Sequence, residues 1–311
     1  MAIVKKEAYF RSSNGVNHIR TLIWADDEAA PVAVFQIAHG VCEHIDRYDE
    51  FARFLADKGF VVCGNDHLGH GKSIESEADL GYTGESEGYR RFVDDMHILY
   101  NIMHRRYPDL PYFLFGHSMG SFCARVYAST FGTDLAGLII CGTGQLPAGL
   151  GFSIDGLQKL VDRFGARTVN HTVAGLLNRS ASLLVPNKQT KLDWLSYNQA
   201  NVQAYIADPL CGFEMPLSLV RDTAAIGILA SETMWPVTVP TALPILIIAG
   251  AEDPVGLKGR GPLACSDSLA ATGHDKLEMI LYPHCRHEVL NEDCREKVYF
   301  DILGWLNSVL F

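Results

Sequence analysis

Two places in the 311-residue chain carry a serine with glycine two positions to each side, Gly116-His-Ser118-Met-Gly120 and Gly84-Glu-Ser86-Glu-Gly88. A serine hydroxyl attacks a carbonyl only when a base takes its proton and the backbone lifts it clear of its surroundings. Glycines at that spacing permit the tight strand-to-helix turn that does the lifting, because a Cβ there would strike the turn. Context separates the two copies. The apolar and aromatic run PYFLF (111–115) precedes Ser118, and SFCARVYASTF (121–131) follows it with apolar positions 122, 126, 127 and 131 on one helical face. Ser86 follows EADLGYT, which is polar and broken by glycine, so no buried strand feeds it. Ser118 is the candidate nucleophile.

A serine nucleophile needs a histidine base, and the histidine needs a carboxylate to hold its tautomer. In open α/β sheets such groups lie on loops beyond the carboxyl ends of strands, in the chain order serine, acid, histidine. The apolar run LPILIIAG (243–250) leads into AEDPVG, which offers Glu252 and Asp253. The run KLEMILYP (276–283) leads into HCRHEVLNE, which offers His284 and His287. Asp253 and His287 are favoured, Asp253 because the proline after it holds that residue extended.

These residues require elements to position them. A hairpin is expected near 4–12 and 18–25 with Asn14-Gly15 in its turn, followed by apolar strands at 32–39, 60–65, 112–116, 136–142, 243–250 and 276–283. Helical patterns lie between them near 46–58, 88–107, 119–131 and 258–272, with a last helix near 291–310. Fully apolar strands alternating with helices indicate an α/β, doubly wound architecture, a mostly parallel eight-stranded sheet with helices on both faces. The rhythm breaks between about 144 and 236, where GLQKLVDRFG, TVAGLLNRSASLL, DWLSYNQANVQAYIADP and SLVRDTAAIGILASE suggest helices alone. The expected organisation is a core over 1–143 and 237–311 with a helical cap inserted at 144–236. Phe152, Phe164, Trp194 and Tyr197 of the insertion serve cap packing or ligand contact.

Composition narrows the rest. With 48% hydrophobic residues a large core is available, and a net charge of −10 leaves no basic stripe for nucleic acid. The segment MAIVKKEAYF lacks the apolar stretch of a secretory signal, and no apolar run approaches the ~18 residues of a membrane span. Eight cysteines without framework spacing suggest reduced, buried thiols and a cytoplasmic location. A zinc set of His284, Cys285, His287 and Cys294 lacks any C-x-x-C pair, and the sequons at Asn170 and Asn178 carry no weight without a signal. His39, directly before a glycine, suits a turn-shaping role better than that of a base.

Six segments together, HGVCEHIDRY (39–48), DHLGHGKS (66–73), FGHSMGS (115–121), YIADPL (205–210), AGAEDPV (249–255) and YPHCRHEVLNE (282–292), resemble the α/β-hydrolase superfamily, in particular its monoacylglycerol lipase and lysophospholipase-like group, the serine aminopeptidase S33-type hydrolases. The resemblance implies Ser118 as nucleophile, Asp253 as orienting acid and His287 as general base. It also implies an oxyanion hole from the backbone N–H groups of Val41 and Met119, with DHLGHGKS as scaffold beneath. Val41 stands where that pattern more often has a small residue. The expected chemistry is carboxylic-ester hydrolysis through an acyl-enzyme, with no metal or organic cofactor. The expected substrate is a small-molecule ester, a monoacyl lipid whose chain the cap receives during transient contact with a membrane surface. Alternatives on the same triad are a short-chain or aromatic esterase, a serine peptidase and an acyltransferase; a ligand-binding protein with a relic site is the non-enzymatic one.

Overall fold

The computed structural model describes residues 3–146, 154–170, 182 and 184–311. Its strands are β1 (Ile3–Arg11), β2 (His18–Asp26), β3 (Ala33–Ala38), β4 (Phe60–Asn65), β5 (Tyr112–His117), β6 (Gly137–Cys141), β7 (Ile245–Gly250) and β8 (Leu277–Tyr282). They form one eight-stranded sheet in the order β1-β2-β4-β3-β5-β6-β7-β8. β2 runs antiparallel to β1 and β4, and every other neighbouring pair is parallel. This is the α/β-hydrolase fold, with each strand within two residues of its expected ends.

Every residue of β3 through β7 is buried, which explains why these strands appear as near-continuous apolar runs, with Gln36 the polar residue inside β3. Alternation survives in where the side chains go. Leu114, Leu138, Ile140, Ile245 and Ile247 join a core beneath α2 (Gly88–Arg106) and α3 (Met119–Phe131). Their sequence neighbours Phe113, Phe115, Ile139, Leu246 and Ile248 join the opposite core beneath α1 (Asp49–Asp57) and the C-terminal helix Arg295–Leu310. Each such side chain contributes about 1.5–3 kcal/mol on burial, so the two faces drive the layering and the ladder sets register.

Between β6 and β7 the described residues hold helices and turns, apart from an isolated bridge pairing Val169 with Pro216. The helices are α4 (Ile154–Phe164), α5 (Gln199–Ala207), α6 (Leu217–Ala230) and the single turn Trp235–Thr238. Most of the pattern at 172–184, together with Phe152 and Asn178, lies outside the described residues. The helix expected from 193 starts only at Gln199, because the Asn198 side chain accepts from the Ala200 and Asn201 N–H groups and caps it there.

The segment has two levels. α6 sends Leu219, Val220 and Ile226 into the main core, whereas Leu195, Tyr205 and Cys211 form a small cluster of their own. Buried Arg125 of α3 ties down both ends: its guanidinium donates to the Gly144 carbonyl at 3.0 Å and to that of Ala230, 4.2 Å from the Trp235 ring. No described helix is long and apolar enough to cross a membrane. The remaining helices are α7 (Arg260–Ala270) and α8 (Arg295–Leu310).

Candidate active site

β5 ends at His117 and α3 begins at Met119, so one residue makes the turn between them. That residue, Ser118, has φ 53° and ψ −120°, a positive-φ conformation that costs a non-glycine residue of order 1–3 kcal/mol. The flanking glycines explain how the turn closes. A Cβ on Gly116 would lie 2.2 Å from the Gly120 carbonyl oxygen, and one on Gly120 would lie 2.1 Å from that of Ala38. Ser118 is half-buried while His117 and Met119 beside it are buried. Ser86, in contrast, sits on an exposed bend before α2.

Asp253 and His287 follow β7 and β8, and their loops converge. His287 Nδ1 donates to Asp253 Oδ2 at 2.9 Å, and the other carboxylate oxygen accepts from the Val255 N–H at 2.8 Å. This leaves His287 Nε2 as the basic nitrogen, and it is buried with no hydrogen-bond partner. The ring of His117, the residue before Ser118, lies 4.7 Å from that of His287. A Cβ on Gly142 would touch both rings, at 3.1 and 3.3 Å. Burial alone would push the His287 imidazole down, but the charge and hydrogen bond of Asp253 carry it above its ordinary value. Burial, reinforced by His287, pushes His117 down to about 3, so His117 stays neutral.

The other candidates on these loops pair with each other. His284 Nδ1 donates to Glu252 at 3.2 Å on the surface, where Glu252 also accepts from the Tyr197 hydroxyl. The four residues set aside as a zinc set do not converge: His284 is turned outward, His287 faces Asp253, and the Cys285 and Cys294 sulfurs meet each other at 2.8 Å. Among the described residues one group could hold a metal, His44, Asp208 and Cys211, with ligand atoms within 4.8 Å of one another. There the imidazole already bonds Asp208 at 2.8 Å and burial pushes the thiol strongly up, which suits an ion pair better than a metal centre.

The loop after β3 completes the surroundings. A Cβ on Gly40 would lie 3.2 Å from the Ser118 Cβ, so the backbone just before Val41 rests on the elbow. Cys42 on the far side of Val41 also has positive φ, 55°. His39 is fixed as scaffold, its Nδ1 donating to the Gly40 carbonyl at 2.7 Å and its Nε2 accepting from the His67 N–H at 2.9 Å. Burial drives His39, His67 and His70 all down, so the histidines under the elbow are neutral. Glu43, Arg47 and Glu288 are ionisable groups beside the site that spacing does not single out, although each stands inside a motif already noted.

From the insertion, the Trp194 ring lies 5.2 Å from that of His287, whereas Phe164 and Tyr197 are 48% and 40% exposed. Helix α6 reaches the elbow through the Thr223 hydroxyl, 3.6 Å from the Met119 sulfur. A Cβ on Gly227 would lie 3.1 Å from Leu146 and 3.5 Å from Phe122, so these apolar groups converge beside the start of α3.

The family model described as "Serine aminopeptidase, S33" matches residues 29–294. A monoacylglycerol lipase of Mycolicibacterium smegmatis is 27% identical over 95% of this chain and 96% of its own length. The human monoglyceride lipase is 30% identical over 58% of this chain and 52% of its own. Among solved structures, a thermostable carboxyl esterase of Bacillus coagulans in complex with glycerol aligns over 100% of both chains at 32% identity, with a TM-score of 0.92. A soluble variant of the Saccharomyces cerevisiae monoglyceride lipase shares the fold, with a TM-score of 0.75 and 17% identity over 99% of this chain and 96% of that one. An elbow serine, a buried acid–histidine pair and a match over most of the chain agree: this protein belongs to the serine aminopeptidase, S33 family of α/β-hydrolases.

Proposed function

We propose that this serine ester hydrolase cleaves single-chain lipid esters, monoacylglycerols or lysophospholipids, with Ser118 as nucleophile, His287 as general base and Asp253 as orienting acid. The observation that carries this reading is the buried Asp253–His287 pair, whose Nε2 has no partner, behind a serine held at positive φ. Ser118 Oγ attacks the ester carbonyl as His287 Nε2 takes its proton, and Asp253 stabilises the imidazolium. The Val41 and Met119 amides hold the oxyanion, the latter aided by the α3 N-terminus. His287 then protonates the leaving alcohol, and water repeats the cycle to free the acid.

The segment 144–236 acts as the cap in this scheme. Support comes from Trp194 beside His287 and from the meeting of Phe122, Leu146 and α6 next to the elbow. Phe164, Leu184, Ile206, Met234 and Val237 leave apolar surface outside, which suits contact with a lipid surface. The likeness to a carboxyl esterase favours a second reading, a short-chain esterase. A hydrolysis panel over acyl length decides between them. Each buried methylene contributes about 0.8 kcal/mol, close to fourfold, so kcat/KM for monoacyl esters should climb with chain length and then level. Preference for acetate over medium chains overturns the lipid reading in favour of the short-chain one, and equal cleavage of triacylglycerol overturns the single-chain channel.

A further inference from the structure

Glu288 directly follows His287, and its carboxylate is buried. Arg47, from the 3-10 turn after β3, grips it with two parallel bonds, Nη1 to Oε1 at 2.6 Å and Nη2 to Oε2 at 2.8 Å. The same Nη1 donates to Glu43 at 2.6 Å. The other oxygen of Glu43 accepts the backbone N–H of Gly40, also at 2.6 Å. Asn201 of α5 closes the network from above, accepting from Arg47 at 2.9 Å and donating to Glu288 at 2.7 Å. A continuous, largely buried chain of charge-assisted bonds therefore runs from the residue after His287 to the residue before Val41.

We propose that Glu288 and Arg47 are positioning residues that lock the loop bearing His287 to the loop bearing Gly40 and Val41, so that base and oxyanion amide keep a fixed separation across Ser118. This rests on the roles proposed above for His287 and Val41. Only arginine supplies the geometry: its planar fork spans two carboxylates, whereas a lysine ammonium is a point charge. A single oxyanion donor displaced by about 1 Å can cost on the order of 100-fold, so a small loss of register is a large loss of rate. The ionisable groups around His287 are Asp253, Glu288, Glu43 and His117. Of these, the carboxylates Asp253, Glu288 and Glu43 favour its protonated form.

The test compares wild type, E288Q and R47K on p-nitrophenyl esters, with the His287 imidazole titration followed by NMR. E288Q should lower kcat about 10- to 100-fold with KM within about twofold, and should move the His287 titration to lower pH. R47K keeps the charge and should leave the titration near its wild-type position, yet kcat should fall by a similar factor. Folded E288Q and R47K with wild-type kcat overturn the proposal. Should E288Q melt below the assay temperature, the double variant R47M/E288M removes the Arg47–Glu288 pair together and leaves Glu43 the bonds it accepts from the Gly40 N–H and the Tyr48 hydroxyl. A folded double variant with tenfold lower kcat supports positioning, and one with wild-type kcat overturns it. A wild type inert toward every ester refutes the proposed reaction, whereas an active wild type matched in kcat by folded R47K and E288Q refutes the lock alone.

Discussion

Glu252 and His284 bond at 3.2 Å on the same two loops whose next inner candidates, Asp253 and His287, bond at 2.9 Å. The outer side chains are 39% and 92% exposed, the inner ones 0% and 2%. Solvent screens the outer pair to a contribution of about 0–1 kcal/mol, while the inner carboxylate holds one tautomer against thermal reorientation. His287→Ala should abolish hydrolysis, and Asp253→Asn should lower kcat by up to about 10⁴-fold. Glu252→Gln and His284→Ala should leave kcat/KM within about twofold in the same assay. An indispensable Glu252 would reverse the assignment of the acid.

Ser118→Ala should cost at least about 10³-fold in kcat, leaving the catalysis of the oxyanion hole and binding. Labelling by a fluorophosphonate, read by mass spectrometry, should vanish with it and persist in Ser86→Ala. Ser118→Gly should be equally inactive but more stable by about 1 kcal/mol, since glycine relieves the strain at φ 53°. A lowered Tm in Ser118→Gly would contradict strain at the elbow.

The pH profile follows from the raised pKa of His287. As the proposed general base His287 works only when neutral, so the acid limb of kcat/KM should have its midpoint above 6.5. In Asp253→Asn the largest raising influence on His287 is gone, so the limb of the residual activity should move to lower pH than in wild type. Stability has the matching sign. A pKa higher in the folded than in the unfolded chain favours the native state in full below about pH 6.5, and that contribution disappears as pH rises through the folded value. The Tm difference between wild type and His287→Ala should shrink over that interval, and a gap that widens with rising pH would contradict the sign.

One substitution should act in opposite directions at two helical glycines. A Cβ on Gly120 would lie 2.1 Å from the Ala38 carbonyl oxygen and 2.5 Å from that of His39, both backbone atoms with no room to yield. Gly120→Ala should destabilise by about 1–3 kcal/mol and impair hydrolysis by pushing the elbow off its seat. Gly304, inside α8, has nothing within 4 Å of its would-be Cβ. Gly304→Ala should stabilise by up to about 1 kcal/mol through helix propensity alone. Thermal melts of the two variants check both signs.

The sheet was legible because β3 to β7 are buried on both faces, which favours near-continuous apolar runs that a sequence displays directly. Helix ends were less so. The late start of α5 depends on the Asn198 cap, a local signal inside DWLSYNQANVQ that an apolar pattern overrides. The turn at Ser118 is also local, set by glycines two residues away on each side, and so its identity as an elbow was contained in the sequence. The tertiary structure decided what depends on burial and distant partners. Glu252 and Asp253 are adjacent in sequence, and only the packing of the β7 and β8 loops puts one in solvent and the other against His287. Arg47 and Glu288 stand 241 residues apart, and an ion pair across that distance leaves no periodicity and no spacing to read. Hydrophobic pattern and turn chemistry are properties of short segments, whereas the electrostatic surroundings of a buried charge exist only once the segments have met.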